Sequence, residues 1–330
     1  MNTPPPAVEI TGLRHRYPKA PREALAGIDL TVPTGEALAL LGPNGGGKST
    51  TFKIIATLLK PTAGHVRVLG QDIRTAPAAA RAALGVVFQN PSVDPHLTAA
   101  ENMTCQARLY GLSRTEAASR TTELLKRFDL VDRHDHRVET FSGGLRRRLE
   151  IAKALLHNPT LLLMDEPATG LDPAARRALW TQVAQLRQER NLTVLWTTHL
   201  LDEAQHADRV AILTDGKLLT VATPAQVQDR CGGQMVSVEP TDPADLPRLL
   251  EILTDKLGPW PNTPPRSDDT SIRFEHPQGP AIVARISQQL AHENLRRISV
   301  GRPTLEDAYL RLHREKNEAQ KNHSSADIVL

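Results

Sequence analysis

The segment LLGPNGGGKST, Leu40–Thr50, constrains this chain more than any other. Three adjacent glycines, a lysine and two hydroxyl residues follow an apolar run, EALALLG (Glu36–Gly42). STTFKIIATLLK comes next, with Phe52, Ile55, Leu58 and Leu59 at helical spacing before Pro61. Buried strand, glycine loop and helix in this order bring consecutive backbone N–H groups around an anion. The helix N-terminus adds partial positive charge at the same point. Gly42, Gly47, Lys48 and Ser49 fit G-x-x-x-x-G-K-[ST]. On this reading Lys48 reaches the β- and γ-phosphates of a nucleotide and the Ser49 hydroxyl is a ligand for Mg2+. The same letters also describe a glycine turn that caps a helix and leaves the lysine exposed. The setting between strand and helix favours the phosphate reading.

The rest of the first two-thirds repeats the alternation. TLLLMDEP (Thr160–Pro167) and LTVLWTTH (Leu192–His199) read as buried strands, with a helix-like PAARRALWTQVAQLRQER between them. Such alternation predicts an α/β fold with a mostly parallel core sheet. From about 91 to 158 three helical patterns follow one another with little strand signal, which predicts a helical insertion. The pattern changes near RCGGQ, Arg230–Gln234. The expected division is a first domain over 7–230 and a small β-α-β-α-β-α domain over 234–316, which contains a proline-rich loop, GPWPNTPPRSDD. The polar stretch 317–330 reads as a frayed tail.

Composition limits the function classes. The chain has 330 residues, 40% hydrophobic and 23% charged, as globular chains with buried cores do. A formal charge of +3 gives no case for nucleic acid as a partner, and the run Arg146–Arg148, without interleaved aromatics, reads as a solvated helix face. Cys105 and Cys231 are far apart with no metal-type spacing, which fits a reducing, cytoplasmic setting. No apolar run approaches the roughly 20 residues needed to span a bilayer. MNTPPPAVEI carries no apolar core of a signal peptide, so a membrane role is expected to come through a partner.

LLLMDEP places Asp165 and Glu166 at the C-terminal end of an apolar strand, the edge where open α/β sheets bind ligands. Asp165 is the candidate Mg2+ ligand. Glu166 is the candidate for orienting and polarising an attacking water. An isolated acidic pair would more simply cap a turn before Pro167; the phosphate loop changes that balance.

FSGGLRRRLEIAKALLHNPTLLLMDEPATGLDP (Phe141–Pro173) resembles the nucleotide-binding subunits of ATP-binding-cassette (ABC) transporters. It is most similar to the drug-export branch typified by daunorubicin-resistance ATPases. The resemblance spans about Val8 to Pro224, with the motifs in the family's order. It implies ATP and Mg2+ as ligands, held along Gly42, Pro43, Asn44, Gly45, Gly46, Gly47, Lys48, Ser49 and Thr50. Tyr17 matches an aromatic that stacks on adenine. Gln89, in GVVFQNP, matches a glutamine that reaches Mg2+ and the water. Ser142, Gly143 and Gly144 match a signature that contacts the γ-phosphate held by the opposite subunit. Asp172, in GLD, matches a loop coupling the two sites, and His199 a switch histidine at the γ-phosphate.

Leu145 stands where glutamine is commonest, Ala168 where a hydroxyl residue is usual, and Gly46 where alanine or serine is commoner. The implied protein is an ATPase that pairs head to tail, as a homodimer or heterodimer. It would serve separately encoded permease subunits at the cytoplasmic face of the membrane. The rival from another class is an ABC ATPase acting on ribosomes or DNA. Those chains usually carry two cassettes or a long coiled-coil insertion, and this one has a single cassette with a compact insertion. A P-loop kinase leaves the signature and His199 unexplained. GRPTLEDAYLRLH (Gly301–His313) resembles the accessory domain of the same branch, with Thr304 as helix cap and Asp307 three residues on.

Overall fold

Strands β1 (Val8–His15) and β2 (Leu25–Val32) alternate buried and more exposed residues, the pattern of a sheet covered on one face. The chain then leaves for β3 (Ala37–Leu41) in a second sheet and returns as β4 (Ala63–Val68) and β5 (Gln71–Asp72). These complete an antiparallel sheet of order β2-β1-β4-β5. The second sheet adds β6 (Leu84–Val87), β7 (Leu161–Asp165), β8 (Thr193–Thr198), β9 (Arg209–Thr214) and β10 (Lys217–Ala222). Its order is β10-β9-β3-β8-β7-β6, parallel except for β10. Every residue of β3, β7 and β8 is buried, as expected of strands covered on both faces.

Helix α1 (Lys48–Ile55) shares one core with both sheets. Its Phe52, Ile54 and Ile55 are fully buried with Leu38 and Leu40 of β3 and Val66 and Val68 of β4. The sequence predicted this helix to continue towards Pro61. Instead it stops at Ile55, and Thr57 takes a left-handed φ of 62° that turns the chain out. A short α2 (Pro77–Ala82) precedes β6. The helical insertion holds α3 (Ala99–Leu109), α4 (Arg114–Arg127) and α5 (Gly143–Leu155). Capping boxes, Thr98 with Glu101 and Ser113 with Glu116, start the first two. Helices α6 (Pro173–Arg190) and α7 (Leu201–Ala204) flank β8 in sequence.

This computed structural model describes residues 4–257 and 265–326, and the chain divides into two compact units between Ala222 and Thr223. That boundary precedes the one read near 230–234. Helix α8 (Pro224–Gln228), begun by a Thr223–Gln226 capping box, packs within the second unit against α11 (Leu305–Ala326). The second unit is an antiparallel sheet of β11 (Gln234–Pro240), β12 (Arg266–Ser267), β13 (Ile272–His276) and β14 (Leu295–Gly301), ordered β12-β13-β11-β14. Helices α9 (Leu246–Leu257) and α10 (Gly279–Gln289) cover it through a core of Val236, Val238, Leu249, Leu253, Phe274, Ile282 and Ile286. The expected β-α-β-α-β-α order holds, with β12 added inside the proline-rich loop; residues 258–264 of that loop lie outside the described residues. Helix α11 runs to Ala326, past the frayed tail expected from 317, because Glu, Ala, Gln and Lys without Gly or Pro sustain a helix. Residues 327–330 lie outside the described residues. Among the described residues no helix is long and apolar enough to cross a membrane.

Candidate active site

Sheet register brings the motifs together. Leu41 pairs with Thr198, and Asp165 with Thr197, in the parallel ladders β3–β8 and β7–β8. The residues that follow, Gly42, Glu166 and His199, therefore leave the sheet side by side. The Gly42 N–H donates to the Thr198 carbonyl at 3.3 Å and the Glu166 N–H to the Thr197 carbonyl at 3.1 Å.

The glycine loop is built against this edge. A Cβ on Gly42 would collide with the Leu213 carbonyl oxygen of β9. Gly47 caps α1 at φ 107°, and a Cβ there would lie 2.7 Å from the Ala24 carbonyl. Lys48 is buried and folds back over the loop, donating from Nζ to the Gly42 carbonyl at 2.8 Å and the Pro43 carbonyl at 3.0 Å. Burial lowers its pKa, while the charges of Glu166 and Asp165 oppose that shift.

Asp165 is held from two sides. Thr197 donates its hydroxyl to Asp165 Oδ1, and the Ser49 hydroxyl lies 3.5 Å from the same oxygen. Burial raises the Asp165 pKa and the Thr197 hydrogen bond opposes it. Glu166 adopts a left-handed φ of 47°, an unusual conformation for a residue with a side chain. Three groups fix its carboxylate. Gln89 Nε2 donates to Oε2 at 3.3 Å, Thr169 donates its hydroxyl to the same oxygen at 3.3 Å, and His199 Nδ1 lies 3.2 Å from Oε1.

A cleft of about 390 Å³ opens here, and Tyr17, Asn44, Lys48, Ser49, Gln89 and Glu166 are among its walls. Gly45, Gly47 and Thr50 also line it. Tyr17 is part-exposed, its hydroxyl 3.2 Å from that of Thr50. A strand-edge cleft with a lysine, loop amides, a hydroxyl–carboxylate pair and a held glutamate suits phosphate binding and attack by water.

Ser142, Gly143, Gly144 and Asp172 do not line this cleft. Ser142 caps α5, its hydroxyl accepting the Leu145 N–H at 3.3 Å, and both Ser142 and Gly143 are exposed. Asp172 caps α6 by accepting the Ala174 and Ala175 N–H groups at 2.9 Å. These two helix starts adjoin, since a Cβ on Gly144 would lie 3.3 Å from Ala175 Cβ.

The basic run Arg146–Arg148 is not a solvated face. Arg147 is buried, donating to the Phe88 carbonyl at 2.7 Å, the Gln89 carbonyl at 3.3 Å and Glu150 Oε2 at 2.9 Å. Glu150 accepts the Ser92 N–H at 2.6 Å, and Lys153 donates to the Ser92 carbonyl. Residues 147, 150 and 153 form one face of α5 that grips the segment carrying Gln89. Arg148 instead pairs with Asp129 at 3.3 Å. Thr197, Thr169 and this face were missed in the sequence. Hydroxyls at a strand end and charges spaced by three were visible, but nothing marked what they would touch.

Comparison with known proteins agrees with this geometry. The ABC transporter family model matches residues 25–169. The daunorubicin/doxorubicin resistance ATP-binding protein DrrA of Streptomyces peucetius is 38% identical over 315 residues, 94% of this chain and 94% of that protein. The linearmycin resistance ATP-binding protein LnrL of Bacillus subtilis (strain 168) is 39% identical over 64% of this chain and 68% of its own length. Among solved structures, the dimeric post-hydrolysis state of the ATP-binding cassette MJ0796 bound to ADP and Pi matches with TM-score 0.61 and 30% identity. It covers 66% of this chain and 98% of that one. With the glycine loop and the held glutamate on one sheet edge, and near-full-length likeness to DrrA, this chain belongs to the ABC transporter family as an ATP-binding, ATP-hydrolysing subunit.

Proposed function

We propose that this chain energises a membrane exporter of drug-like molecules through ATP-driven, head-to-tail pairing. The carrying observation is the Glu166 carboxylate, bonded by Gln89, Thr169 and His199 beside the loop that bears Lys48 and Ser49. On binding ATP, Lys48 exchanges its bonds to the Gly42 and Pro43 carbonyls for phosphate oxygens, and the loop amides receive the rest. Tyr17 stacks on the base at the open end of the cleft. The Ser49 hydroxyl and the Asp165 carboxylate are hard oxygen donors on one spot, and with Gln89 they would hold Mg2+. That ion supplies neutralisation of phosphate charge. Glu166 orients and polarises the water, and His199 holds the glutamate and reaches the γ-phosphate.

Ser142, Gly143 and Gly144 lie outside their own chain's cleft, the first two of them exposed. They serve as the cap over the γ-phosphate of the opposite subunit, and Asp172 beside them couples the two sites. Closure acts on separately encoded permease subunits, which put the chain at the cytoplasmic face of the membrane. Resistance to daunorubicin and to linearmycin in the names of its relatives supports a bulky organic cargo.

The test uses Glu166→Gln in the full-length chain. With MgATP, the variant is expected to lose at least about 100-fold in turnover and to elute as a stable dimer. Hydrolysis at the parent rate would sink the mechanism. Expression with its permease should raise drug tolerance, and the Glu166→Gln chain should abolish the gain.

A further inference from the structure

Tyr17 lines the cleft and is 37% exposed, yet two contacts fix its ring. Its hydroxyl lies 3.2 Å from that of Thr50, in the first turn of α1. Its ring packs against His15, with centroids 4.7 Å apart and planes at 83°. Aromatic pairs favour this perpendicular arrangement. His15 ends β1 and is 6% exposed. Its Nδ1 lies 3.0 Å from the Lys60 carbonyl oxygen, which can only accept, so Nδ1 carries the hydrogen and donates it.

Lys60 belongs to the segment that turns out of α1 after Thr57. The same segment holds the chain on both sides of His15. The Thr62 N–H donates to the Arg14 carbonyl at 2.9 Å, and the Thr62 hydroxyl accepts the Arg16 N–H at 3.1 Å. Tyr17 is thus tied to the start of the phosphate-loop helix directly, and to its exit through His15. Packing alone does not explain a histidine here. Its Nε2 is buried with no partner among the described residues, a cost that a hydrocarbon side chain avoids. What imidazole combines is a ring for Tyr17 and an N–H for the Lys60 carbonyl.

We propose that His15 is a positioning residue for nucleotide binding: anchored on the Lys60 carbonyl, it presets the Tyr17 ring for the base. The inference rests on the stacking of Tyr17 on the base proposed above, and adds the residue that readies the stack before ATP arrives. A ring already fixed has little freedom left to lose on binding. Ordering one such side chain during binding costs about two- to tenfold in affinity. His15 does not line the cleft, so it acts through Tyr17 and its effect is confined to the base.

Isothermal titration of the full chain with Mg-ADP and, separately, with Mg-pyrophosphate tells the base from the phosphates. His15→Leu removes both the ring and the donor. It should weaken Mg-ADP about three- to tenfold and leave Mg-pyrophosphate unchanged, which also reports an intact glycine loop. His15→Phe keeps a ring of similar size and is the milder change to the fold. It should show the same selectivity with a smaller loss. In a Tyr17→Ala chain, His15→Leu should cost nothing further, because its effect runs through the tyrosine.

Equal loss of both probes in the two variants would mark a packing residue and overturn the proposal. So would Mg-ADP affinity at the parent level in both, or a loss that persists in full without Tyr17. Tyr17→Ala by itself decides the reading beneath. If that variant binds Mg-ADP as the parent does, the stacking of the base falls and takes the proposal with it. If it weakens Mg-ADP while the His15 variants do not, the proposal falls alone.

Discussion

Arg147 has its charge buried beside Glu150, and its other bonds go to the backbone of Phe88 and Gln89. Truncation to alanine leaves the Glu150 carboxylate without its cation. Arg147→Ala should therefore cost about 3–5 kcal/mol, read from the denaturant midpoint, while Arg147→Ala with Glu150→Ala should cost less than the sum. In the sequence Arg147 looks like its neighbours in a basic run. Burial of a charge depends on what packs against it, and the partner here lies 58 residues away in the chain. Glu203 makes a second case. It is 2% exposed, its Oε1 has no partner among the described residues, and burial raises its pKa. The folded state thus keeps the proton to higher pH than the unfolded chain does. Stability falls as pH rises from the ordinary carboxylate value through the raised one, and stays lower above it. Glu203→Gln should raise the melting temperature at neutral pH, and the gap should close towards about pH 4. A gap that widens in acid would contradict this.

Elements built from continuous apolar runs were legible. EALALLG, TLLLMDEP and LTVLWTTH became β3, β7 and β8 because strands buried on both faces need apolar residues throughout. Their shared edge gave the site its place. The antiparallel sheet was not foreseen. Its strands pair across register shifts in β1, and such long-range pairing leaves no periodic mark. The end of α1 was misread for a related reason: Leu58 and Leu59 keep helical spacing after Thr57 has broken the helix. Close approach between elements is equally silent. Gly42 meets the Leu213 carbonyl of β9, so Gly42→Ala must push β3 and β9 apart. The expected cost is about 1–3 kcal/mol in unfolding free energy, with nucleotide affinity falling more steeply than stability. Isothermal titration beside thermal melts would separate the two.

Across the whole chain, the motif order revealed the fold class before any coordinate did, because the phosphate loop and the acidic strand each need a sheet edge. The domain boundary was less legible. Thr223 and Gln226 form a capping box that announces a new helix, its cap seven residues before RCGGQ. The exposed Ser142, outside the cleft of its own chain, has a consequence for mixtures of damaged copies. In a head-to-tail pair, one chain with Lys48→Ala and one with Ser142→Arg bring both lesions to a single site and leave the other composed of sound parts. Neither variant alone should hydrolyse ATP, yet blending them should restore about a quarter of the parent rate, since half the pairs are mixed and each has one working site. Two silent alleles would then complement each other within one gene.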